Sequence, residues 1–210
     1  MDSGTCGAEG DNLTWELDSK GVLTISGTGE MKDFEWNSDE QLPDVPWKAN
    51  LQMVKTLIIS DGATSIGRYA FDRCPNLSSV SIPNSVTSIG DSAFFHCTSL
   101  TSITIPSSVT EIGDGTFEHC TNITNITIPD SVISIDSRSF RYCTNLTSIN
   151  VDSDNSKYSS LDGIVFNKDK THLECYPAGK TEKSYIIPDS VTSISLDAFK
   201  TCANVTNIII

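Results

Sequence analysis

Residues 86–106 read VTSIGDSAFFHCTSLTSITIP, and residues 109–129 read VTEIGDGTFEHCTNITNITIP. The second stretch restates the first 23 residues later, holding its Ile, Phe, Cys and Pro in place while polar positions drift. A fixed interval of this length marks a chain that builds one small supersecondary unit many times and stacks the copies. One such unit cannot enclose a core. Each apolar position must therefore find shelter against its own copy in the next unit.

Aligned on that interval, units begin at Val54, Leu77, Leu100, Ile123, Leu146, Glu182 and Val205. Two apolar columns follow: Leu57, Val80, Ile103, Ile126, Ile149, Tyr185 and Ile208, then Ile59, Ile82, Ile105, Ile128, Val151, Ile187 and Ile210. The pattern is LxxLxL, the strand signature of leucine-rich repeats. Parallel strands about 4.8 Å apart would bury each column against the next and pair the backbone groups between them. Pro83, Pro106, Pro129 and Pro188 follow the strand, where a residue without an N–H ends the ladder. Each unit then adds an isoleucine (Ile66, Ile89, Ile112, Ile135, Ile194), a phenylalanine (Phe71, Phe94, Phe117, Phe140, Phe199) and a cysteine (Cys74, Cys97, Cys120, Cys143, Cys202). Val109 to Ile112 predicts a further strand, and DSAFFHC or DGTFEHC a short helical turn opened by Asp91 or Asp114. The expected fold is a leucine-rich repeat solenoid, α/β by convention, mostly parallel β with short helical turns.

The phrase IPxSVTxIGxxAFxxCxxLTxI resembles the BspA-like, or Treponema-type, leucine-rich repeats of surface proteins of bacteria and some protists. The likeness covers residues 54–210. The unit at 146–181 runs to 36 residues, and its YSSLDGIVFNKDKTHLECYPAGK is similar to the long hairpin-bearing repeat of that family. Ile164 to Phe166 and Leu173 to Tyr176 flank a polar NKDKT turn. Residues 1–53 precede the repeats. Leu13, Trp15 and Leu17, then Leu23 and Ile25, alternate with polar residues around DSKG, which predicts a hairpin with one apolar face. The phrase GTCGxxxxLTWELDxxGxLTISGTGxM resembles the family's N-terminal cap, so this hairpin is expected to cover the first rung, with Trp36 to Asn50 connecting the two.

The chain has 210 residues and a formal charge of −13, which argues against nucleic acid and against an anionic membrane surface. Residues 1–50 carry 11 acidic and 3 basic side chains, so −8 of that charge lies in the first quarter. No run approaches the ~20 apolar residues of a membrane helix, and Met1-Asp2-Ser3-Gly4 does not open a signal peptide. The segment reads as soluble, with no membrane insertion of its own, and export would require a signal outside it.

The cysteine column recurs in register with buried Ile and Phe, so it reads as packing; five equivalent parallel side chains cannot all pair as disulfides. His96-Cys97 and His119-Cys120 mimic nucleophile–base pairs on paper. Sequence neighbours point apart, however, and the histidine column holds Arg73, Tyr142 and Thr201 in other units, as a solvent position does. Glu118 near the two histidines supplies less than a zinc site needs. DSDNS at 152–156 lacks the glycine and distant glutamate of a calcium loop and reads as a solvated turn. The sequons at Asn12, Asn76, Asn122, Asn125, Asn145 and Asn204 mostly fall out of the repeated NLTSI phrase. No cofactor or catalytic set is expected.

The x positions of LxxLxL alternate away from the core. They give Thr56, Ser79, Ser102, Asn125, Ser148 and Ser184 beside Ile58, Ser81, Thr104, Thr127, Asn150 and Ile186, an open face of small hydroxyls and amides suited to hydrogen-bonding a protein or glycan. The resemblance implies a non-catalytic extracellular adhesion module on a bacterial cell surface, binding host or neighbouring cells, with the acidic cap or hairpin 161–176 adding specificity. The alternatives are a passive spacer between other domains, or an enzyme using His119, Cys120 or Cys175. Residues 205–210 begin a unit and stop in its strand, an apolar edge expected to continue into further repeats or to self-associate.

Overall fold

The computed structural model describes residues 1–136 and 138–210. The chain winds into a β-solenoid of about seven turns with almost no helix. Thr56–Ile59 pairs in parallel with Ser79–Ser81, Asn125–Ile128 with Ser148–Val151, and Ser184–Ile186 with Asn207–Ile209. The middle unit contributes one bridge, Thr104 to Thr127. A second parallel sheet stacks Ser65–Ile66, Ser88–Ile89, Glu111–Ile112 and Ser134–Ile135. Between the two sheets each proline opens a tight turn: Val86, Val109, Val132 and Val191 donate their N–H to the carbonyls of Pro83, Pro106, Pro129 and Pro188.

The phenylalanines form the expected file. Phe71, Phe94, Phe117 and Phe140 stack with successive centroid distances of 5.5, 5.8 and 6.0 Å. The cysteines run beside them, and the thiols of Cys97, Cys120 and Cys143 lie 3.2, 3.1 and 3.1 Å from the carbonyls of Phe71, Phe94 and Phe117 in the preceding turn. An S–H directed at a carbonyl is a weak bond, but it satisfies a backbone acceptor inside the core.

The DSAFFHC and DGTFEHC segments are not helical. Phe71, Phe94 and Phe117 send their N–H to Ala93, Thr116 and Ser139 of the next turn at 2.8, 3.0 and 3.0 Å, while Cys97 and Cys120 bond three residues back to Phe94 and Phe117. Spending alternate donors on the neighbouring turn leaves no continuous i→i−4 ladder, so no helix can form. Asp91 caps nothing: its carboxylate accepts the N–H of Asp114 in the next turn at 2.9 Å. The only helical element among the described residues is the three-residue Lys48–Asn50.

The cap is more closely joined to the repeats than a covering hairpin. Gly10–Leu17 and Val22–Gly27 form that hairpin, and Asp2–Gly7 adds a third antiparallel strand. Val22–Gly27 also pairs in parallel with Thr56–Ile59, Leu23 opposite Leu57 and Ile25 opposite Ile59, so it acts as a preceding rung. At the junction Gly21 adopts φ +87°, and a side chain there would strike the Met53 carbonyl. Trp47, in the connecting segment, stacks on Phe71 at 5.5 Å and 12°, donates Nε1–H to the Ala70 carbonyl at 3.0 Å, and heads the aromatic file.

The long unit also differs from a simple hairpin. Ile164–Asn167 pairs with His172–Cys175 as expected, and Tyr158–Leu161 adds a strand on its other side. His172–Cys175 then takes the place of a back-sheet strand, in parallel with Ser193–Ile194, and Tyr176 stacks on Phe199 at 5.1 Å. Asn155 of DSDNS is fully buried, not solvated: Nδ2 donates to the carbonyls of Pro129 and Val132 at 2.8 and 2.9 Å, and Oδ1 accepts from Lys157 and Tyr158 at 2.9 and 2.8 Å. At the far end the columns fray. Ile208 and Ile209 are each 43% exposed and Ile210 is 99% exposed, because no further described turn stacks on them.

Candidate binding surface

Along each front strand the side chains alternate, and the x positions point outward because their neighbours fill the core. Ser79, Ser81, Ser102, Thr104, Asn125, Thr127, Asn150, Ser184, Ile58 and Ile186 are exposed, while Thr56 and Ser148 are half-buried. They do not form one ribbon. Thr56 and Ile58 lie opposite Ser79 and Ser81, and Asn125 and Thr127 opposite Ser148 and Asn150, with Thr104 bridging to Thr127. Ser184 and Ile186 pair only with Asn207 and Ile209. The antiparallel strands of the long unit separate them from Ser148, whose hydroxyl would meet a side chain placed at Gly163; the Gly163 carbonyl accepts the N–H of Ile149 at 2.9 Å.

The thiols lack the setting of a nucleophile. Burial pushes the Cys120 thiol up to about 12, and it raises Cys97, Cys143 and Cys175 as well. His119 turns its ring away from Cys120 and stacks between His96 at 4.4 Å and Tyr142 at 4.2 Å. Desolvation first, then neighbouring cations, lowers the pKa of both histidines. Arg73, His96, His119, Tyr142 and Thr201 all adopt φ between 57° and 68°, the left-handed conformation that turns this column outward. Among the described residues no group of three His, Cys, Asp or Glu side chains is placed to hold a metal.

One polar chain was not evident from sequence order. His172 Nδ1 lies 2.6 Å from Ser193 Oγ and Nε2 lies 2.9 Å from Ser195 Oγ, which donates to Glu174 Oε2 at 2.9 Å. It looks like a nucleophile, base and orienter. The nearby N–H groups that an oxyanion would need are already spent, Ser193 on the Thr171 carbonyl and Ser195 on the Leu173 carbonyl. The chain therefore pins two strands together.

One of several concave features, and not the largest, lies where the cap meets the first repeat. Trp36, Tyr69, Asp72, Arg73, Ser92 and Phe95 line a cavity of about 260 Å³. The Arg73 guanidinium sits 5.1 Å from the centre of the Trp36 ring, and Tyr69 and Trp36 lie 6.0 Å apart. Asp72 is only 1% exposed, and burial pushes its carboxyl up to about 7 against the pull of Arg73. Among the described residues Asp72 Oδ1 and Arg73 Nε are buried without a hydrogen-bond partner. The sequence signal was a departure from the repeat: Tyr69 replaces Ser92 and Gly115 of its column, and Asp72 shares a column with Phe95, Glu118 and Arg141.

The family described as BspA type leucine rich repeat region matches residues 49–172 and 173–210 in six copies. A leucine-rich repeat protein from Eubacterium ventriosum superposes with a TM-score of 0.80 at 30% identity, covering 100% of this chain and 60% of that one. The pneumococcal vaccine antigen PcpA gives a TM-score of 0.68 at 21% identity, covering 94% and 62%. A leucine-rich repeat protein of T. pallidum gives 0.51 at 21% identity, covering 94% and 79%. The chain thus spans about three fifths of the first two, 60% and 62%. No curated protein matches the chain. Among the described residues no helix is long and apolar enough to cross a membrane.

Proposed function

Since the chain belongs to the BspA-type leucine-rich repeat proteins, we propose that it is a non-catalytic extracellular binding module of a bacterial cell-surface protein, presenting its front sheet to protein or glycan partners. One observation carries the reading. The paired front strands bond backbone to backbone from rung to rung and turn their apolar side chains inward, which leaves ten of the twelve x-position side chains exposed; of these, among the described residues, Asn125 and Asn150 alone make side-chain hydrogen bonds.

The patch Asn125, Thr127, Ser148 and Asn150 is its most regular part, paired in register over two turns. Hydroxyls and amides there would supply adaptable hydrogen bonds in a wet interface. Arrays of extracellular-matrix proteins and glycans test the module: saturable binding is expected, weakened at least about tenfold by Asn125→Arg with Thr127→Arg. Absence of any saturable partner, or a partner indifferent to those two arginines, would remove the front sheet from consideration.

A further inference from the structure

We infer that the cavity at the junction of cap and first repeat is a subsite for a single neutral sugar ring, lined by the aromatic Trp36, Tyr69 and Phe95 and by the charged Asp72 and Arg73. It shares no residue with the front sheet and deepens the binding-module reading by naming a ligand class at a second place.

The chemistry follows from how this turn breaks the repeat. In the column of Asp72, the next two charged members are of opposite sign and form an ion pair, Arg141 Nε lying 3.7 Å from Glu118 Oε1, beyond hydrogen-bond reach. Asp72 faces Phe95 as its neighbour in the column, and a phenyl ring cannot answer a carboxylate. One buried acceptor and one buried donor, Asp72 Oδ1 and Arg73 Nε, thus lack partners on two residues that line an aromatic recess. Leaving such groups unpaired costs about 1–3 kcal/mol each in stability, so a molecule that supplies hydrogen bonds to the same carboxylate and guanidinium gains affinity there.

The pair selects the ligand. A cation that suited Asp72 and the aromatic rings would meet Arg73, already placed over Trp36. An anion that suited Arg73 would meet Asp72. A hydroxyl both donates and accepts, so the hydroxyls of a sugar can donate to the Asp72 carboxylate and accept from the Arg73 guanidinium without a charge clash with either. Adjacent hydroxyls can reach Ser92 and Tyr69, and the C–H face of the pyranose packs against an aromatic ring, whose electron-rich face attracts it. A volume of about 260 Å³ lies just under the ~300 Å³ at which pockets for drug-sized molecules begin, which fits one ring with its glycosidic bond toward solvent.

The test titrates the intact chain with methyl β-D-glucopyranoside, methyl β-D-galactopyranoside, methyl α-D-mannopyranoside and N-acetyl-D-glucosamine, with tetramethylammonium chloride and sodium acetate as charged comparators. Saturation-transfer NMR and indole fluorescence read binding; Trp36 is the half-exposed indole, and Trp15 and Trp47 are buried. At least one sugar should saturate with a dissociation constant on the order of a millimolar. Trp36→Ala and Asp72→Asn should each weaken it about tenfold or more, and Asn125→Arg with Thr127→Arg should not change it. Phe95→Leu, which keeps apolar bulk and removes the ring, serves if Trp36→Ala misfolds. The inference is overturned if none of the four sugars saturates, if a charged comparator binds in their place, or if the pocket variants titrate like the parent. The front-sheet reading survives any of these results, since its array signal is independent of Trp36.

Discussion

Replacing Phe117 by alanine probes the aromatic file at its middle. The ring is fully buried and lies between Phe94 at 5.8 Å and Phe140 at 6.0 Å, nearly parallel to both at 7° and 9°. Burial and the cavity left behind account for about 3–5 kcal/mol, of which two stacked pairs contribute ~0.5–1.5 kcal/mol each. A domain of this kind has about 5–15 kcal/mol in total, so the variant should remain folded but be much weakened. With a urea slope near ~2 kcal/mol/M, the midpoint should fall by about 2 M. Far-UV circular dichroism and tryptophan fluorescence must give the same transition for one free energy to be read, since stacked arrays can unfold in parts. Phe199 is half-buried and stacks on Tyr176 alone among the described phenylalanine-file residues, so its truncation should cost roughly half as much. A cycle of Phe94→Leu and Phe117→Leu isolates the stack, with an expected coupling of about 0.5–1.5 kcal/mol. Additive leucine effects, together with a loss under about 1 kcal/mol in Phe117→Ala, would refute the claim that the file holds successive turns together.

Three further outcomes follow from buried groups. Iodoacetamide should leave Cys6, Cys74, Cys97, Cys120 and Cys143 unmodified in the native chain and label all seven cysteines in denaturant; rapid native labelling of Cys120 would contradict its burial. Asn155→Leu should cost about 2–4 kcal/mol, because it strips partners from two carbonyls and two N–H groups, and Asn155→Asp should fail to restore the two donated bonds; a urea midpoint equal to the parent's would overturn this. Asp72 holds its proton more tightly folded than unfolded, so its contribution to stability is greatest below pH ~4 and is lost as pH rises to about 7. Asp72→Asn should therefore stabilise the chain above pH 7, with a ceiling near ~4 kcal/mol for a shift of about three units. His96 and His119, with lowered values, act in the opposite sense as pH falls, so the variant-minus-parent difference is the quantity to follow; a difference flat from pH 4 to 8 would show that Asp72 is not held in this way.

The columns were legible because each of their members does the same job. Ile66, Ile89 and Ile112 are buried for one reason, and a period of 23 exposes that reason without coordinates. Trp47 escaped because it precedes Phe71 by 24 residues and differs in type, although its ring does the work of a phenylalanine. Tyr176 lies 23 residues before Phe199 and could have been placed in the file, but the hairpin pattern around it claimed it first. The helical turn was misread because local propensity ignores donors that a stacked neighbour can accept: Phe94 bonds to Thr116, not to its own segment. Asn155 was misread for the same reason, since its polar neighbours suggest water while the carbonyls of Pro129 and Val132, from the preceding turn, receive its amide.

The outward residues were visible as outward and nothing more, because β-tolerant polar side chains satisfy the fold whether or not they touch a partner. Departures from the period carry more information. At Asp72 the fold leaves a carboxylate oxygen buried and unmatched, while further along the same column Glu118 has a cationic neighbour, Arg141 Nε at 3.7 Å, although among the described residues that nitrogen too lacks a hydrogen-bond partner. A repeat lowers such conflicts where each turn fits its copy, and at this turn the adjacent member of the column, Phe95, offers the carboxylate no charge of opposite sign. The cap brings Trp36 to that same turn, and Arg73 answers it with a cation over the ring. Above pH 7 stability alone would favour asparagine at position 72, and a hydroxyl-bearing ligand in the recess would bring the carboxylate the partner that the stack does not supply.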